Sequence, residues 1–178
     1  EADWAPDGSM AVVRSASGKD QLEYPAGTKL YALAGAGYLS DPRVSQDGSR
    51  VAFIEHPIGY DDRGWLKTVD RQGVVKTLSG ELWGAEGVAW STDSRTVFVS
   101  AAARDTFGYH PHAVSVDGEP VMRPAFPSMT SSEMMDVATD GRMLVSAGEQ
   151  RISIRVQLPG ESTERELPWL DLPVPRAL

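Results

Sequence analysis

Three histidines are the only imidazoles in the chain, and two of them stand two residues apart. In His110-Pro111-His112 an extended backbone puts both rings on one side, because side chains alternate along a strand. His56 is followed closely by Tyr60-Asp61-Asp62-Arg63. Imidazole with carboxylate is a donor set that suits zinc or manganese. A His/Asp site on these two segments would support a metal-dependent lyase or hydrolase. The competing reading gives the same residues local duties, with Asp61 and Asp62 accepting backbone amides and pairing with Arg63. Further carboxylates, Glu55, Glu81, Glu86 and Asp105, are candidates for paired acid–base work on glycosides. Acidic residues number 25 of 178, so some clustering arises by chance. Ser15-Ala16-Ser17-Gly18 is not a nucleophile elbow, and no helix pattern follows it. Ala34-Gly35-Ala36-Gly37 lacks the spacing of a phosphate loop. The chain has no cysteine, which excludes disulfides, thiolate chemistry and cysteine-bound metal.

The residues assigned to binding are therefore His56, Tyr60, Asp61, Asp62, Arg63, Trp83, Tyr109, His110 and His112. Trp83 enters because Glu81-Leu82-Trp83-Gly84 reads as a crossover that would expose the indole to a partner. No catalytic residue, metal ligand or cofactor is assigned, and an enzyme is the less favoured outcome.

The elements that must position these residues announce themselves by repetition. Trp4-Ala5-Pro6-Asp7-Gly8 returns as Val44-Ser45-Gln46-Asp47-Gly48, as Trp90-Ser91-Thr92-Asp93-Ser94 and as Val137-Ala138-Thr139-Asp140-Gly141. The turn aspartates stand at 7, 47, 93 and 140, giving steps of 40, 46 and 47 residues. Each phrase reads as strand, tight turn and strand, with Asp capping the turn and Gly accepting positive φ. A repeated β-unit of about 40–47 residues is the mark of a propeller blade. The expected fold is all-β: a β-propeller of four four-stranded blades in one domain over 1–178. The blades span about 1–35, 38–80, 85–127 and 133–170, with an irregular tail over 171–178. In the second blade Val51 and Phe53 point one way and Ala52 and Ile54 the other, as in a strand sandwiched between neighbours. Trp4 and Trp90, at matching positions, are expected to pack between blades. One helical turn is allowed within 129–137.

The phrase Trp-Ala-Pro-Asp-Gly at 4–8, with Ser45-Gln46-Asp47-Gly48-Ser49-Arg50-Val51-Ala52-Phe53, resembles the TolB-type β-propeller repeat. Glu55-His56-Pro57 and Asp61-Asp62-Arg63-Gly64 look most like the propeller regions attached to bacterial serine/threonine kinases. The resemblance implies a non-catalytic binding or scaffolding module with a protein or peptide ligand. Such propellers usually have six or seven blades. Four blades leave two apolar end faces to be covered: by closure into a tight four-bladed ring, by further blades of a longer protein or, the favoured expectation, by self-association into a homodimer that completes the propeller.

The net charge of −8 opposes nucleic-acid binding. No apolar run is long enough to span a membrane, so membrane insertion is not expected. The chain opens Glu1-Ala2-Asp3 without an initiator methionine, as a mature form or an excised piece would. The compartment, periplasmic or cytoplasmic, stays open.

Overall fold

Each repeat begins with a hairpin whose turn is closed by its aspartate. Asp7, Asp47, Asp93 and Asp140 each accept the backbone N–H two residues on, at 2.9, 2.9, 3.0 and 3.1 Å. Three of the turns place glycine at positive φ, and the third repeat places Ser94 there at 58°. The strain at Ser94 is offset by a bond across the blade seam, where its hydroxyl accepts the Asp47 N–H at 3.0 Å.

The structure is a computed structural model that describes residues 1–102, 104, 108–127, 130–148, 151–152, 154–167 and 172–173. Asp105 and Trp169 lie outside the described residues, as does the expected tail except at 172–173. Among the described residues there is no helix; the segment expected to allow a helical turn carries a strand instead.

The first blade is β1 (Ala2–Trp4), β2 (Met10–Ala16), β3 (Lys19–Glu23) and β4 (Lys29–Ala32). The second is β5 (Tyr38–Val44), β6 (Arg50–His56), β7 (Trp65–Asp70) and β8 (Val75–Thr77). The third is β9 (Gly84–Trp90), β10 (Thr96–Ala102), β11 (His110–Ser115) and β12 (Met122–Pro124). All three are antiparallel meanders in sequential order. The fourth repeat keeps its inner hairpin, β13 (Ser132–Val137) with β14 (Met143–Ala147). Its outer strands do not extend that sheet. Instead β15 (Arg151–Ile152) pairs with β18 (Leu172–Pro173), and β16 (Arg155–Val156) pairs with β17 (Arg165–Glu166). A reason lies in β14, which is exposed at four of its five positions and gains little from widening.

Blades pack face to face through three seams. Ala11, Leu22 and Tyr24 of the first blade meet Val51, Phe53 and Val69 of the second. Ala52, Ile54 and Leu66 of the second meet Val88, Trp90 and Val97 of the third. Ala89 and Phe98 of the third meet Met134 and Val137. The alternation read along β6 is thus observed, and each buried large side chain contributes about 1.5–3 kcal/mol. The third seam is closed by Gly87 at φ 61°, where a Cβ would come within 2.4 Å of the Met134 carbonyl oxygen.

Candidate binding rim on the second and third blades

His56 ends β6 and is buried, with Tyr38 stacked on its ring at 4.0 Å and 4°. Its Nδ1 lies 2.9 Å from the Arg63 carbonyl, which only accepts, so Nδ1 carries the proton. Nε2 lies 2.8 Å from Ser40 Oγ, and that hydroxyl also lies 2.9 Å from Asp41 Oδ2. Its single proton serves one acceptor at a time. Burial holds the imidazole below its ordinary value of 6.5, against the pull of the Arg63 carbonyl and of Asp41 and Asp62. Ser40 and His56 have the contact of a nucleophile–base pair. Both are buried, however, and a carbonyl occupies the position of the orienting group. The pair acts as a clamp on the segment that carries Arg63.

That segment is fixed again from its own side. The Arg63 guanidinium donates to Asp61 through Nε (3.0 and 3.1 Å) and Nη2 (2.7 Å), and the Arg63 amide donates to Asp61 Oδ1 at 2.9 Å. These bonds pull the Asp61 carboxyl down to about 2. Tyr38 Oη donates to the Asp61 carbonyl at 3.3 Å. Burial, with Asp62, Glu86, Asp41 and Asp61 nearby, pushes the Tyr38 phenol up to about 12.

The third blade joins through the crossover after β8. Leu82 N–H donates to the Gly64 carbonyl at 2.8 Å and Ala85 N–H to the Asp62 carbonyl at 2.9 Å. Tyr109 Oη donates to Asp62 Oδ2 at 3.1 Å, and the phenol lies over Gly84, where a Cβ would meet Oη at 2.9 Å. Burial and then the Glu86 and Asp62 charges push the Tyr109 phenol far up, so it stays a donor. Outermost stands Trp83, 52% exposed, with the Arg63 and Arg104 guanidinium carbons each 5.8 Å from its ring centre. On the loop between β6 and β7, which carries Arg63, Ile58 is half exposed and Tyr60 fully exposed, and Tyr60 holds φ 63°. A bulky side chain in that backbone region is uncommon.

Comparison with solved structures agrees with the architecture. TolB from Acinetobacter baumannii superposes with a TM-score of 0.60 at 15% identity, covering 93% of this chain and 39% of TolB. A prolyl endopeptidase superposes at 0.59 and 18% identity, covering 93% and 28%. A gluconolactonase from Xanthomonas campestris, XC5397, gives 0.56 and 17%, covering 83% and 55%. The chain therefore spans well under two thirds of these proteins, and the likeness is one of fold. TolB and the other propellers among the neighbours support the β-propeller reading. No protein-family profile matches the chain, and no curated protein sequence matches it.

Of the nine expected residues, the fold ties His56, Asp61, Asp62, Arg63, Trp83 and Tyr109 into one bonded network. Tyr60 stands at the tip of the same loop. His110 and His112 do not join the network. They belong to β11, where Pro111 is a buried strand residue opposite Ser100. His112 Nδ1 lies 2.7 Å from the His110 carbonyl. Among the described residues no three His, Asp or Glu side chains converge as metal ligands. Of the other carboxylates, Glu55 is taken by Lys67 at 2.8 Å and by the Tyr31 hydroxyl. Sequence reasoning missed Tyr38, Ser40, Ile58 and Arg104. Tyr38 and Ser40 had no local signal: counting back from the Asp47 turn at the register of Val44 with Val51 sets Ser40 opposite Glu55, and the register shift between Ser40 and Arg43 is what brings Tyr38 opposite His56 and Ser40 opposite Ile54.

Proposed function

We propose that the chain is a non-catalytic β-propeller binding module whose ligand, a protein or peptide, docks on the loops of the second and third blades. The observation that carries this reading is the exposed Trp83 ring with the Arg63 and Arg104 guanidinium groups against it, and Tyr60 and Ile58 exposed on the loop that also carries Arg63. Trp, Tyr and Arg are the side chains that dominate binding energy at protein contacts. Here they stand on a base pre-ordered by the His56 clamp and the Asp61–Arg63 fork, which lowers the entropy cost of docking. The resemblance of this loop to propeller regions attached to bacterial kinases supports the same accessory role. TolB among the structural neighbours fits a binding module, while the prolyl endopeptidase and gluconolactonase show that the scaffold also serves enzymes. Self-association that covers the end faces belongs to this reading as well.

The test is selection of peptides from a random display library on the immobilised protein. Peptides enriched on the wild type should lose binding by at least about tenfold on Trp83→Ala and on Tyr60→Ala, roughly 1.4 kcal/mol each. Failure to enrich any peptide, or enriched peptides indifferent to both changes, would sink the proposal.

A further inference from the structure

A cavity of about 240 Å³ opens on the propeller axis at the turn end of the inner strands, away from the His56 clamp. One matching position of each inner strand contributes to its wall: Asp3 from β1, Arg43 from β5, Ala89 from β9 and Asp136 from β13. Trp4 and Pro6 add an apolar lip. Hydrogen bonds hold these residues in place, some of them across the blade seams. Asp3 Oδ2 accepts the Val44 N–H at 2.8 Å, Asp136 Oδ1 accepts the Val137 N–H at 2.7 Å, and the Arg43 carbonyl accepts the buried Trp90 indole N–H at 2.9 Å. Arg43 Nη1 donates to the Pro42 carbonyl at 3.1 Å, yet among the described residues no ion pair includes Arg43, Asp3 or Asp136. Two carboxylates and one guanidinium thus face a common space without having neutralised one another. Asp3 registers the cost: burial raises its pKa, and the Asp136 charge adds to that against the pull of Arg43.

We propose that this axial cavity binds a small α-amino-acid zwitterion, its ammonium between Asp3 and Asp136 and its carboxylate on Arg43. The charge pattern matches a ligand with both signs better than a bare cation, which would leave Arg43 unsatisfied. It also disfavours a bare anion, which the two carboxylates would repel. The volume falls below the usual range for drug-sized ligands and suits a molecule of one residue's size. Ala89 leaves room on the fourth side, and Trp4 and Pro6 offer apolar surface to a side chain. The site stands apart from the rim of the second and third blades and does not depend on the reading given for it.

Titration calorimetry with three probes tests the proposal on the intact chain: L-leucine, 3-methylbutylamine, which lacks the carboxylate, and 4-methylpentanoate, which lacks the ammonium. Leucine should bind saturably, and each truncated probe should bind at least about tenfold more weakly. Asp136→Asn and Arg43→Gln should each weaken leucine by a similar factor while leaving the thermal midpoint unchanged. Absence of saturable leucine binding up to about 10 mM overturns the proposal, since that already corresponds to under about 3 kcal/mol. Equal binding of leucine and the bare amine overturns the role of Arg43 directly on the wild-type protein, whatever the variants do.

Discussion

Trp90 and Trp4 occupy the same position of the repeat, yet one is 3% and the other 70% exposed. Trp90 lies in the seam between the second and third blades, its indole N–H bonded to the Arg43 carbonyl of the blade before it. Val44 and Val137 hold the matching places in the second and fourth repeats and are also buried against the preceding blade. Trp4 opens the same Trp-x-x-Asp turn phrase and pairs across the same kind of hairpin but stands on the outer face of the first blade. At the other end Leu144 shows the complement. It matches Ala11, Ala52 and Phe98, which each face a following blade, and it is 63% exposed. The side chain's fate is therefore set by the neighbouring blade and not by the repeat itself. The expectation that Trp4 packs between blades is corrected on this ground.

The largest effect is expected in the closed seam. Trp90→Ala removes a buried indole and strands the Arg43 carbonyl, and should cost about 3–5 kcal/mol. Urea unfolding followed by circular dichroism reads it as a fall in midpoint at constant slope. A cost under about 1 kcal/mol would mean that Trp90 is no more essential to its seam than Trp4 is to its surface.

His56→Ala comes next, at about 2–3 kcal/mol, because it leaves Ser40 and the Arg63 carbonyl buried without their ring partner. It should also loosen the rim, so peptides selected on the wild type should bind less tightly even though His56 is covered by Tyr38. Retained peptide affinity in this variant would separate the rim from its clamp.

The same histidine gives the pH dependence. Its folded pKa lies below the ordinary 6.5, so between those values the unfolded chain binds more protons than the folded one. Stability from this group is present in full above pH 6.5 and falls as the pH drops through and below it, by at most about 1.4 kcal/mol per pH unit. Unfolding midpoints measured from pH 8 to pH 5 should decline for the wild type and decline less for His56→Ala. Parallel curves would show that His56 titrates as it does in the unfolded chain.

These features differ in how far the sequence reveals them. The hairpins were legible because their chemistry is local: Asp binding an amide two residues on needs nothing beyond the turn. The facing of Val51, Ala52, Phe53 and Ile54 was legible because strand alternation is local too. Burial of His56 was not, because it comes from Tyr38, across the hairpin, and from the returning segment at Arg63. The place of His110 and His112 inside a blade was not legible either, because proline usually interrupts strands, whereas Pro111 sits within β11 with its carbonyl bonded to the Ala125 N–H. The reduced fourth sheet depends on what flanks it, and no repeat phrase encodes that.

The smallest effect on folding, and the sharpest on the comparison itself, belongs to Trp4. In the isolated chain Trp4→Ala should change stability by no more than about 0.5 kcal/mol, since it removes no buried contact. Its influence should appear in mass. A second copy that presents the face carrying Leu144 to the face carrying Trp4 would reproduce an interior seam, with the Trp4 indole donating to the carbonyl of Asp136, the residue that matches Arg43. Such a contact is heterologous, so it either closes with two copies or runs on into a chain of copies. Sedimentation velocity should show assembly of the wild type that Trp4→Asp and Leu144→Asp each abolish, while the two variants mixed recover one seam and stop at a dimer. That recovery distinguishes a head-to-tail seam from a symmetric contact of Trp4 with Trp4, which mixing would not restore. A wild type that sediments as a monomer would show that a seam-like surface at each end is insufficient, and that Trp4 differs from Trp90 in solution as it does in the structure.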